Sequence, residues 1–219
     1  MRSPRLFTIS AGLGLWLSSV AATAAPAACK PPAGFNDTPH PAIAPAEQLA
    51  VHTEQIDIAR PFPVVVEAMN MPLHQALRGS GSLPGVAGDF MLTKGDFGAP
   101  GSRHIVCLTD GTTVEEESLV RDGTATTGHF RYVVWDYGTP KARPISYGVG
   151  EFRTVALDAT HTHITWTYSF QLKDDVFPGE LGALGRWLFR VGFLDRDYAD
   201  MMRGTLNGYK AAAESRPNR

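Results

Sequence analysis

Apolar side chains take every second position over 163–173, where Ile164, Trp166, Tyr168, Phe170 and Leu172 alternate with His163, Thr165, Thr167 and Ser169. A period of two sends one set to a buried face and the other toward water, so the stretch reads as a half-buried strand. Looser alternation marks 49–58, 87–95, 103–109, 113–121, 129–137 and 147–157. These runs are separated by turn chemistry: Asp110-Gly111, Asp122-Gly123 and Asp158-Ala159-Thr160. Asp-Gly between alternating runs is a hairpin signal, so 113–121 is expected antiparallel to 103–109.

Two places break the period. After the first strand, Arg60-Pro61-Phe62-Pro63 precedes 64–70 and 72–77, and proline in a first turn fits two short helices. At the other end Leu181, Leu184, Leu188, Val191, Tyr198, Met202, Thr205 and Tyr209 recur at spacings of three, four and seven. That is the stripe of a long amphipathic helix, bent near Gly192. One strand, two short helices, six strands and a long helix give an α+β order, with helices gathered on one face of an antiparallel sheet.

The first residues read as an export leader. Arg2 and Arg5 precede an apolar run from Leu6 to Val20, and small residues follow from Ala21 to Ala28. The run is too short for a span of about 20 residues, so cleavage between 24 and 28 is expected, with the mature protein periplasmic or secreted. No membrane span is expected in the mature chain. The organisation is then a leader (1–27), an extended segment (28–48), one domain (49–212) and a flexible tail (213–219). Pro31, Pro32, Pro39, Pro41 and Pro45 keep the second segment out of helix and central strand.

Losing Arg2 and Arg5 from 20 basic residues against 22 acidic ones takes the net charge from −2 to about −4. Such a surface does not suit nucleic acid, whose phosphates need a basic footprint. A tenth of the chain is aromatic, which argues for a folded core over disorder. Cys29 and Cys107 outlast the leader; in an oxidising compartment they pair, and otherwise Cys107 is a small buried hydrophobe.

The chain resembles the SRPBCC superfamily, which includes START lipid-transfer domains, pollen-allergen-like proteins and polyketide cyclases. The resemblance covers about 49–209. It rests on Ala59-Arg60-Pro61, on 95–101 ahead of Arg103-His104-Ile105-Val106, and on Asp110-Gly111 followed by Glu116. Phe130-Arg131-Tyr132 and Thr165-Trp166-Thr167-Tyr168 with Phe170 complete it. It implies a helix-grip fold: a curved sheet of about seven strands wraps the long C-terminal helix and leaves a cavity between them.

Candidate chemistry lies on the inner face of that sheet. Phe130, Tyr132 and Val134 are placed inward, with the apolar face of 163–173. That face either fills a core or walls a pocket. For a pocket the wall residues are Phe130, Tyr132, Trp166, Tyr168, Phe170 and Met201 or Met202. The glycine-rich stretch 79–88 is a candidate gate. In Glu115-Glu116-Glu117 at least one carboxylate must point inward. Glu116 shares a face with Val114, Ser118 and Val120, and the resemblance places its glutamate there. A carboxylate in an apolar cavity suits acid–base work, while a salt bridge to Arg103 or Arg131 is the plainer alternative.

Other fragments carry less. His161-Thr162-His163 puts two imidazoles on one outer strand face without a third ligand, so no metal is called for, and no cofactor motif is present. Asp96-Phe97-Gly98 lacks the rest of a kinase, and Gly79-Ser80-Gly81-Ser82 lacks a strand-to-helix elbow. Three functions are expected in turn: an exported binder of a small or medium hydrophobic molecule (a lipid or aromatic metabolite), a cyclase- or dehydratase-like enzyme using Glu116, or an interaction module using the Pro-rich segment.

Overall fold

The computed structural model describes residues 28–81 and 83–216. The expected leader, Ser82 and residues 217–219 of the expected tail lie outside the described residues. Seven strands form one antiparallel sheet: β1 (Ala50–Ile58), β2 (Val86–Met91), β3 (Arg103–Leu108), β4 (Thr113–Gly123), β5 (Thr127–Trp135), β6 (Ile145–Ala156) and β7 (Thr162–Leu172). Their spatial order is β1-β7-β6-β5-β4-β3-β2, so the first strand closes onto the last and only the crossing from β1 to β2 leaves the meander. That crossing carries α1 (Phe62–Met69) and α2 (Leu73–Ala76). Pro61 and Pro72 stand at the N-caps of these helices, where a missing N–H costs nothing.

The expected single C-terminal helix comprises α3 (Ala183–Phe189), a π-helical stretch over Arg190–Tyr198 and α4 (Ala199–Glu214). The expected bend near Gly192 falls inside the π-helical stretch, whose wider winding re-aims the side chains beyond it. α4 packs along β1 and α1. Among the described residues no helix is long and apolar enough to cross a membrane.

The sheet is apolar on both faces. Its concave face carries Tyr132, Val134, Phe152 and the full alternating set of β7 from Ile164 to Leu172, all in one core with α1 and α4. Its outer face carries a second cluster of Val133, Trp135, Tyr147 and Val149. The Pro-rich segment covers that cluster as a strap. Ile43 and Leu49 pack on it, the edge of His40 meets Trp135 at 6.0 Å, and the Tyr147 hydroxyl accepts from Ala44 N at 2.7 Å.

Two ties hold the strap's early half. Cys29 and Cys107 form a disulfide across 78 residues, with Cα atoms 5.6 Å apart. Arg103 meets Asp37 at 2.5 Å, donates to Thr38 O at 2.7 Å and to Glu115 at 2.8 Å, and stands 5.2 Å over Trp135. Burial pushes the Glu115 carboxyl up, and the Arg103 guanidinium pulls against that. The Pro-rich segment, linker-like in composition, is therefore a bound layer of the fold.

One register expectation fails. Alternation puts Val120 on the face of Glu116, but β4 bulges between Ser118 and Val120, where one extra residue opposes β5. Alternation slips by one, and Arg121, opposite Phe130, takes the inward side.

The disulfide closes a long loop, so Cys107→Ser should cost about 2–4 kcal/mol in urea unfolding. Reductant should lower the wild type by a similar amount and leave the variant unchanged. An unshifted midpoint in reduced wild type would mean the Arg103 contacts hold the strap alone.

Candidate functional site

The aromatic residues of the concave face divide into two groups because β6 carries glycines at two inward positions. Tyr132 lies flat across Gly150, where a Cβ would stand 2.2 Å from Cζ of the ring. At Gly148 a Cβ would come within 2.9 Å of Tyr168, Tyr137 and Phe170 together. The rings occupying this space form a block: Tyr198 of the π-helical stretch sits 4.8 Å from Tyr168 and 5.0 Å from Phe170, and Phe189 is 5.7 Å from Phe170. That end of the groove is filled.

The other end is open. A cavity of about 750 Å³ lies between α1, α2 and the inner face of β3–β7, with Tyr209 of α4 bordering it. Phe62, Val66 and Met69 come from α1, Leu73 from α2, and Phe130, Tyr132, Phe152 and Trp166 from the sheet. Phe152 and Trp166 stack at 4.6 Å, Phe130 and Tyr132 at 5.3 Å. The rim is built by the β4–β5 turn (122–128) and by Asp96-Phe97.

The polar pole is a pair. His104 Nε2 and Glu116 Oε2 are 2.9 Å apart, with side chains 3% and 10% exposed. Phe97 stacks on the imidazole at 3.7 Å and 7°, fixing the plane of the ring. Nδ1 has no hydrogen bond among the described residues and stands 3.7 Å from Asp89. The indole N–H of Trp166 is also buried, and it favours the ionised form of the Tyr132 phenol without making a regular hydrogen bond among the described residues. Burial pushes the phenols of Tyr132, Tyr137, Tyr168 and Tyr198 up, and Glu116 adds to the rise in all four. Tyr209 rises to about 12 by burial alone. These phenols therefore serve as neutral hydrogen-bonding groups.

Of the expected wall residues, Phe130, Tyr132 and Trp166 border this cavity, as does Glu116. Tyr168 and Phe170 belong to the packed block, and Met202 is fully buried in the core of α4. Met201 borders a separate groove of about 530 Å³ between α2 and α4. The cavity thus lies beneath the short helices more than beneath the C-terminal one, because Tyr198 fills the space there. The expected gate is a tight turn: Ser80 and Leu83 exchange backbone hydrogen bonds of 3.2 and 2.9 Å, and Gly85 N donates to the Thr109 hydroxyl at 3.0 Å.

The partner of Glu116 is neither Arg103 nor Arg131. Arg103 faces outward onto Glu115, and His104 stands opposite Glu116 in the β3–β4 hairpin. Sequence reasoning missed His104: a two-residue Asp110-Gly111 turn would set it opposite Glu117, and the three-residue loop 109–111 shifts the register by one to Glu116. It also missed Phe97, set aside with Asp96-Phe97-Gly98. His161 caps the Asp158 turn and His163 pairs with Asp57 at 2.6 Å on the outer face.

No protein-family model matches the chain, and no curated protein matches its sequence. Solved structures share its fold. Norcoclaurine synthase from Thalictrum flavum, in complex with dopamine and hydroxybenzaldehyde, aligns over 84% of this chain and 99% of its own, at 9% identity and TM-score 0.53. The Zhui aromatase/cyclase from Streptomyces sp. R1128 aligns over 76% and 94%, at 16% identity and TM-score 0.52. A hypothetical protein of Helicobacter pylori aligns over 81% and 99%, at 15% identity and TM-score 0.54. At such identities the likeness is one of architecture: this chain has the helix-grip fold.

Tyrosines raised by burial make stability fall in alkali. The unfolded phenol ionises near its ordinary value of 10.0 while the buried one keeps its proton, so the contribution is complete below that value. It declines above it, by about 1.4 kcal/mol per pH unit for each such tyrosine, and for Tyr209 until about 12. Denaturant melts across this range, with absorbance titration of phenolate, should show the fall. Phenolate appearing near 10 in the folded protein from these residues would contradict the packing.

Proposed function

We propose that the protein is exported and holds a small or medium apolar molecule, a lipid or an aromatic metabolite, in the cavity beneath α1 and α2. The observation that carries this reading is the cavity itself: about 750 Å³ walled by aromatic and aliphatic side chains, with one polar pole at Glu116 and His104. A pocket of this size and make-up suits a ligand whose body is apolar and whose orientation is set by a few polar groups. Burying about 300 Å² of apolar ligand surface would supply roughly 7 kcal/mol before the cost of association. The leader pattern supports export, and so does a disulfide, which persists in oxidising compartments.

A second reading rests on one specific contact. A carboxylate paired with a buried imidazole at 2.9 Å inside a mostly apolar cavity is equipped to move a proton, as a cyclase- or dehydratase-like enzyme requires. Tyr132, neutral and bordering the same space, would orient a carbonyl. No observation favours partner capture by the Pro-rich segment, whose contacts are with the protein's own sheet.

Native mass spectrometry of protein purified from its own host, followed by organic extraction, should reveal a co-purifying apolar mass. A reproducibly empty protein that also fails to bind a polarity-sensitive dye would refute the binding reading. Glu116→Gln separates the two functions: a binder keeps its affinity for an apolar probe, whereas an enzyme loses turnover by about 10²–10⁴-fold.

A further inference from the structure

The polar pole carries more carboxylate than cation. Glu116, Asp89, Asp96 and Asp122 all border the cavity. Arg121 is the one guanidinium among its described lining residues, and it is engaged: it donates to Asn70 Oδ1 at 3.0 Å and stands 5.2 Å over the Phe130 ring. Glu116 is nine-tenths buried, and its only hydrogen bond among the described residues is the one that Oε2 accepts from His104 Nε2. Its second oxygen, which can only accept, is left without a donor. Glu116 borders the cavity, so a charged donor on a guest can reach that oxygen and make a charge-assisted hydrogen bond.

The aromatic walls narrow the kind of donor. Phe97, Phe130, Tyr132 and Trp166 border the same space, and ring faces attract cations. One wall ring already carries such a neighbour, the Arg121 guanidinium over Phe130. A hydroxyl would meet the free Glu116 oxygen with a neutral donor, which makes a weaker bond than a charged one. A carboxylate would add to the pole's negative charge.

We propose that the guest is an organic cation, an amine that is protonated near neutral pH. Its ammonium donates to the free oxygen of Glu116, and its apolar body lies against Phe130 and Trp166. This rests on the reading of the cavity as a ligand site and adds the charge of the ligand to it.

Three probes of one skeleton test it by calorimetry on the disulfide-bonded protein near neutral pH: naphthylethylamine, naphthylethanol and naphthylacetate. The amine should bind about tenfold more tightly than the alcohol, and the acetate most weakly. Glu116→Gln should remove most of the amine's advantage, because it lowers the amine's affinity by more than the alcohol's. Asp89→Asn, at a position 42% exposed where folding is not at stake, should reduce it in the same direction. An alcohol or acetate that matches the amine overturns the charge assignment and leaves the ligand site standing. Failure of all three probes and of a neutral dye overturns both. If Glu116→Gln does not fold, the wild-type series and Asp89→Asn decide.

Discussion

The structure depends on how aromatic rings pack on a strand with glycine at two inward positions. Gly148 and Gly150 clear the inner face of β6, and Tyr132, Tyr137, Tyr168 and Phe170 occupy the space. Side chains at those positions would push the rings toward the helices. With the rings lying low, Tyr198 enters from the π-helical stretch and completes a solid block at one end of the groove. The cavity is what remains at the other end, under two short helices too small to fill it. Close packing in one half therefore makes an open half possible, because a sheet this curved cannot be filled evenly by one helix.

The outer face poses the opposite problem. Val133, Trp135, Tyr147 and Val149 would form an exposed apolar patch, the kind that promotes association. The strap resolves this with few residues. Its prolines keep it extended and limit what it loses in freedom on docking, while the disulfide and the Arg103 contacts fix its course. Glu115 and Glu116, adjacent in sequence, so have different tasks. One anchors the strap through Arg103, and the other faces the cavity beside His104.

The polar pole shows how a protein keeps a carboxylate in an apolar interior. One oxygen of Glu116 is held by an imidazole that is itself clamped flat by Phe97, and the other oxygen has no donor among the described residues. A purely structural pair would be expected to close both sides. The open oxygen is what the proposed cationic guest would meet, with Asp89 and Asp96 also on the cavity's border.

Local pattern alone determined the strands, their turns and the inward set of β7, because period and turn chemistry are properties of neighbouring residues; that Glu116 is the inward glutamate came from the family resemblance. The existence of the β3–β4 hairpin is equally local, but its register is not: Asp110-Gly111 fits a two-residue turn, and only the three-residue loop of the folded chain brings His104 opposite Glu116. The remainder was decided in three dimensions. The bulge that turns Arg121 inward in place of Val120 leaves no mark in alternation, since one unpaired residue shifts only the part of the strand beyond it. Tyr168, Phe170 and Met202 are indistinguishable in sequence from Phe130, Tyr132 and Trp166, for all are apolar and inward. Which of them line a void depends on where Tyr198 comes to rest, and that is set by the winding of a helix that contacts them only after the chain has folded.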